Sequence, residues 1–95
     1  MTDFIATIRV RPKPEVRDPQ GEAVAGALRS LGMDVADVRT GKEIVVRFSA
    51  EGLPEASAKA QQMGDELLAN PVIEDYAYDL AVETPARLDT REISA

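Results

Sequence analysis

Asp18-Pro19-Gln20-Gly21 stands between an alternating segment, residues 4–10, and a segment with helical periodicity, and it reads as a helix start. An aspartate at that point accepts hydrogen bonds from free N–H groups of the first turn. A proline fits the first helical position because its missing N–H would have no partner there anyway. On the N-terminal side, Phe4, Ala6, Ile8 and Val10 share one parity and Thr7, Arg9 and Arg11 the other, the pattern of a half-buried strand that Pro12 and Pro14 end. On the C-terminal side, Ala23, Val24, Ala27, Leu28 and Leu31 form an apolar stripe at helical spacing. Gly32 stands where a helix end favours a left-handed residue.

Further along, residues 35–39 read as a short strand, although Val35 and Val38 fall on opposite parities. Residues 43–48 read as a clear strand, with Ile44, Val46 and Phe48 on one face. Arg39-Thr40-Gly41-Lys42 between them reads as a tight hairpin in which Gly41 supplies a positive φ. A second helix starts near Leu53-Pro54-Glu55, buries Ala56, Ala60, Met63, Leu67 and Leu68, and stops at Asn70-Pro71. The last strand sets Tyr76, Tyr78, Leu80 and Val82 against Asp75, Asp79 and Glu83. The order strand-helix-strand-strand-helix-strand predicts an α+β two-layer sandwich, an antiparallel sheet with two helices on one face. Residues 1–83 make a single domain, and 84–95, polar and unpatterned, read as a mobile tail.

Composition excludes several kinds of chemistry. The 95 residues carry a formal charge of −6, which argues against nucleic acid or an anionic membrane as partner. With neither cysteine nor histidine, the chain has no thiolate nucleophile, no zinc-thiolate site and none of the commonest general bases. Met1-Thr2-Asp3-Phe4-Ile5 lacks the basic-then-apolar pattern of a signal peptide, and no apolar run approaches the ~20 residues that span a bilayer, so a cytoplasmic protein is expected. A chain this short buries a modest share of its surface, which makes a homodimer or higher oligomer an expectation. The Gly41-Lys42 pair is no phosphate loop, because Ala36 and Glu43 occupy the places of the required glycine and hydroxyl. Asp75, Asp79 and Glu83 are spaced by four along a strand, about 13 Å apart, too far to share one metal ion. No catalytic, cofactor-binding or metal-binding residue is expected.

What core packing leaves over is a basic cluster in an acidic protein: Arg9, Arg11, Lys13, Arg17, Arg39, Lys42 and Arg47. Charged protection of an edge strand is the plain explanation. A docking surface for carboxylates of a partner protein is the other, with Arg9, Arg11, Lys13, Arg39 and Lys42 as its interface candidates. On that reading the cluster serves assembly and is dispensable for folding.

The ordered set Pro12-Lys13, Val16, Asp18-Pro19-Gln20-Gly21, Leu31-Gly32, Val38-Arg39-Thr40-Gly41-Lys42 and Asn70-Pro71-Val72-Ile73-Glu74-Asp75-Tyr76 resembles the PurS family over residues 4–78. Members are small subunits of phosphoribosylformylglycinamidine synthase, the formylglycinamide ribonucleotide amidotransferase of de novo purine biosynthesis. Glu15, Arg17 and Met33 depart from the residues common in that family. The resemblance implies a non-catalytic dimer that bridges a glutaminase subunit (PurQ) and a large synthetase subunit (PurL) for ammonia transfer. It implies no cofactor here, with ATP and Mg²⁺ in the large subunit. The rival reading is an ACT-like regulatory module binding a small effector, which shares the same order of elements. Its usual glycine-bearing loop is replaced here by a rigid, charged segment from Lys13 to Asp18.

Overall fold

The alternation at the N-terminus becomes the longest strand, β1 (Thr2–Pro12), and it occupies the middle of the sheet. The computed structural model describes residues 1–83; the stretch 84–95, read above as a tail, lies outside the described residues. After β1 come α1 (Pro19–Ser30), β2 (Lys42–Ala50), α2 (Leu53–Met63) with a π-helical turn over Gly64–Leu68, and β3 (Glu74–Val82). The sheet order is β2-β1-β3, antiparallel throughout, with Ile8 opposite both Ile44 and Tyr78. The α+β class, the antiparallel sheet and the two helices are therefore as expected.

One face of the sheet carries the core. Ala6, Ile8 and Val10 are buried beneath Ala60 and Ala69, flanked by Ile44, Val46, Phe48, Tyr76, Tyr78 and Leu80. Alanines at 56 and 60 let α2 approach closely, and Phe4 and Phe48, paired in register, place their rings 6.2 Å apart. At the start of α2, the Glu55 carboxylate accepts from the Glu51 N–H at 2.6 Å, closing the first turn where no side chain caps it from Gly52. The Tyr78 hydroxyl meets Ser57 at 2.5 Å, and Lys59 Nζ donates to the Ser49 carbonyl at 3.0 Å, so α2 is tied to both outer strands.

Four expectations need correction. Residues 35–39 form no strand. Their opposed parities offer no single face to bury, and side chains hold the backbone instead: Arg29 donates to the Val35 carbonyl at 3.0 Å. Consequently there is no hairpin at 39–42. Gly41 does not have a positive φ; among the described residues only Gly32 does, at 88°. Gly32 closes α1 as expected, with its own N–H bonded to Arg29 O at 2.9 Å and the Met33 N–H to Leu28 O at 3.1 Å.

The remaining two corrections concern helix faces. Leu67, expected inside, is 81% exposed. The π-helical turn explains it: Ala69 N–H bonds to Gly64 O, five residues back, and this wider turn rotates Leu67 outward while Leu68 takes the inward place. The stripe on α1 is also left open, with Leu31 73% exposed and Val24 exposed as well. A three-stranded sheet already covered by α2 lacks the floor that a fourth strand would have given α1. Only Gly21 and Ala25 of α1 are buried.

Candidate functional site

Three connections converge where β1 ends and β2 and β3 begin: the loop 13–18, the connection 31–41 and the turn 69–73. The register sets this end of the sheet, with Val10 opposite Lys42 and Pro12 opposite Glu74. Asp18 is the hub. Its Oδ1 accepts from the Gly21 N–H at 3.0 Å, as an N-cap should, and its Oδ2 accepts from the Thr40 N–H at 2.7 Å. The Thr40 hydroxyl donates to the same carboxylate at 3.0 Å. Gly21 permits this fit, since a Cβ there would run into the Val38 carbonyl oxygen. Two blocks of sequence that stand apart thus lock to one another.

Those amide donors, Thr40 first and Gly21 second, hold the Asp18 carboxyl below the usual aspartate range against the opposing effect of desolvation. A lowered folded value means that the ionised carboxylate stabilises the fold fully above the unfolded value of about 3.9, and that this contribution is lost as pH falls through the lower folded value. Acid titration followed by circular dichroism should therefore show a loss of stability below about pH 4 that is smaller in Asp18→Asn. Identical acid profiles would contradict the linkage.

Arg39 braces the same unit. One guanidinium nitrogen donates to the carbonyls of Lys13 at 2.8 Å and Val16 at 2.7 Å, pinning the loop before α1. It is therefore committed within the chain, and the expectation that the basic cluster is dispensable for folding does not suit this member. The third connection joins through the Lys13 N–H, which donates to Ile73 O at 2.8 Å.

The other cations divide into two groups. Arg9 pairs with Asp79 at 2.5 Å, Arg17 with Glu22 at 3.0 Å, and Arg47 with Glu83. In each pair the carboxylate raises the guanidinium pKa through hydrogen bonding first and charge second. The first two pairs are exposed and stabilise little, whereas in the third Arg47 is exposed and the Glu83 side chain is largely covered. Arg11, Lys13 and Lys42 form no ion pair among the described residues. Arg9, Arg11 and Lys42 line one cleft of about 420 Å³ together with Glu43 and Asp75. Arg11 and Arg39 line a second, of about 440 Å³, with Pro12, Pro14, Asp37 and Asp75. The clefts share Arg11 and Asp75, so four of the five interface candidates surround one continuous surface; Lys13 lies beside Pro71 and Glu74 in a third cleft.

Gly41 shapes the first cleft. A Cβ there would strike the Val10 carbonyl oxygen and Arg11 Cγ, so glycine is present for close approach of chain segments and not for its φ. Tyr76 supports the neighbouring clefts: its ring lies over Gly64, and its hydroxyl donates to Asp65 at 2.8 Å, with Gln61 O at 3.0 Å. Burial first, and then Asp65, push its pKa up to about 12. The brace formed by Asp18, Thr40 and Arg39 is what sequence reasoning missed. Its signal was the ordered set of motifs, two of which turn out to be bonded to each other.

What the geometry offers is a group of clefts lined by cations and carboxylates at one end of the sheet. Among the described residues no three acidic, histidine or cysteine side chains stand close enough to hold a metal ion, and no helix is long and apolar enough to cross a membrane. Comparison with known proteins gives the same picture an identity. Residues 5–82 match the family described as PurS, phosphoribosylformylglycinamidine (FGAM) synthase. The Synechocystis phosphoribosylformylglycinamidine synthase subunit PurS is 43% identical over 74 residues, covering 77% of this chain and 74% of that one. PurS of Thermus thermophilus superposes with a TM-score of 0.79 at 48% identity, over 87% of this chain and 99% of its own. A chain of PurLQS from Thermotoga maritima superposes with a TM-score of 0.79 at 35% identity, over 85% of this chain and 100% of its own. With the matched segment taking in both helices, β2, β3, most of β1 and all three braced connections, the chain belongs to the PurS family.

Proposed function

We propose that this chain is the non-catalytic small subunit that holds a glutaminase and an ATP-dependent synthetase together, so that ammonia released by the first reaches the second without escaping. Membership of the family makes it a subunit of phosphoribosylformylglycinamidine synthase, an enzyme of purine biosynthesis. The observation that carries the bridging reading is the likeness to a chain of Thermotoga maritima PurLQS, matched along its full length. The absence of cysteine and histidine from the sequence supports it, since glutamine hydrolysis by a thiolate must then occur on another chain. On this reading ATP and Mg²⁺ act in the large subunit, this chain takes no cofactor, and the complex is cytoplasmic. The open apolar stripe of α1 supports self-association as a dimer.

The test is reconstitution. The chain is mixed with the large and glutaminase subunits of its host, assembly is followed by gel filtration and sedimentation, and synthesis is assayed with glutamine or with ammonia. Glutamine-dependent synthesis should require the chain, while ammonia-dependent synthesis should persist without it, and the chain alone should turn over neither glutamine nor ATP. Full glutamine-dependent rates in its absence would refute the bridging reading, as would turnover by the purified chain that survives removal of contaminants.

A further inference from the structure

We infer that two copies of this chain join along the outer edge of β3, paired antiparallel about Tyr78, an inference that rests on the self-association proposed above. Two three-stranded sheets would thereby become one of six strands. The Glu83 N–H donates to the Asp3 carbonyl at 2.9 Å, and the register continues that bonded side of β3 through Ala81, Asp79, Ala77 and Asp75. Antiparallel pairing alternates, so the N–H and C=O groups of Tyr76, Tyr78 and Leu80 point away from the sheet. No hydrogen bond among the described residues satisfies them. The other outer edge is guarded: Lys59 Nζ donates to the outward carbonyl of Ser49 at 3.0 Å, and β2 itself carries Lys42 and Arg47. Residues 74–82 contain no lysine, arginine or proline.

Charge selects both the occupant and the register. On the face of β3 away from α2, acids alternate with alanines: Asp75, Ala77, Asp79, Ala81. A twofold axis at Tyr78 sets Ala77 against Asp79 and Asp75 against Ala81 of the second copy, so each aspartate meets a methyl group. An axis at Ala77 would set Asp75 against Asp79, and one at Asp79 would set that residue against itself, both repulsive. On the other face the axis at Tyr78 pairs Tyr78 with Tyr78 and Tyr76 with Leu80. These half-buried groups border the core, and the row from the second copy covers them. All nine residues of β3 are paired in this register. A foreign strand would have to supply this spacing of acids and small residues by chance, whereas a second copy carries it.

The test follows self-association of the full chain by sedimentation equilibrium for Ala77→Asp, Ala77→Lys and Val45→Asp. Within its own sheet residue 77 lies opposite Arg9, so an aspartate there suits the single chain and a lysine does not. Across the joint both signs reverse, because residue 77 meets Asp79 of the second copy. Ala77→Asp should weaken self-association at least about tenfold through two symmetric contacts, and Ala77→Lys should keep it at or above the unmutated level. Val45→Asp alters an exposed residue on the outer edge of β2 and should leave it intact. Chains carrying Ala77→Cys, mixed with chains carrying Asp79→Cys, should form a mixed disulfide faster than either variant links to itself, since the unmutated chain has no cysteine. Unchanged self-association in Ala77→Asp overturns the inference and leaves the α1 stripe as the contact. An equal loss with Ala77→Lys overturns it too, and a loss confined to Val45→Asp moves the joint to β2. If circular dichroism shows Ala77→Asp unfolded, the cysteine pair decides, and absence of the mixed disulfide overturns the inference. A monomeric unmutated chain refutes self-association itself, and this inference with it.

Discussion

Asp18→Ala is expected to lower the thermal midpoint by on the order of 10 °C. Two losses combine. The first turn of α1 loses its cap at Gly21, and the Thr40 N–H and hydroxyl lose the acceptor that joined them to that helix. The Gly21 fit against Val38 leaves little room for water to replace the carboxylate. The effect should be concentrated in α1 and the connection behind it, because β1, β2 and β3 pair without them. Hydrogen exchange should thus accelerate first at amides of α1. Asp18→Asn should lose less, since asparagine caps nearly as well as aspartate. A midpoint unchanged in Asp18→Ala would contradict the brace.

The second large effect is a matched pair of glycine substitutions with opposite signs. Gly41→Ala places a methyl group on the Val10 carbonyl oxygen, a backbone atom inside the β1–β2 ladder that cannot move aside alone. Forced displacement of this kind costs about 1–3 kcal/mol. Gly26→Ala lies inside α1, and nothing stands within 4 Å of the added methyl. It should stabilise the chain by about 0.5–1 kcal/mol, because alanine restricts the unfolded chain and favours the helix. Urea denaturation of both variants checks the pair, and a stabilised Gly41→Ala would remove the close-approach explanation.

What the residue pattern made legible was local. The cap at Asp18, the parity of β1 and β2, the left-handed close at Gly32 and the stop at Asn70-Pro71 each follow from a few adjacent residues, and each is present. Leu67 was misplaced because a π-helical turn changes the helical phase without any residue that announces it. Gly41 was assigned to the correct spot for the wrong reason: positive φ and close approach both select glycine, and only the neighbouring chain distinguishes them. The strand at 35–39 was over-read from two valines that share no face. At the site, the cations were legible as a group, but their partners were not. Arg39 as a brace and Arg9 as half of an ion pair depend on carbonyls and carboxylates far away in sequence, which no local pattern encodes.

The central position of β1 has a consequence for biosynthesis. Of the three described strands, the one made first is the one on which both others pair, so it must remain available with two open edges while α1 and its connection emerge. Pairing with β2 closes one edge, and the second stays open until β3 has been made. The nascent chain therefore carries a half-paired apolar strand until residues 74–82 emerge, and the alternating charges Arg9 and Arg11 on that strand hinder it from pairing with a neighbouring nascent chain in the meantime.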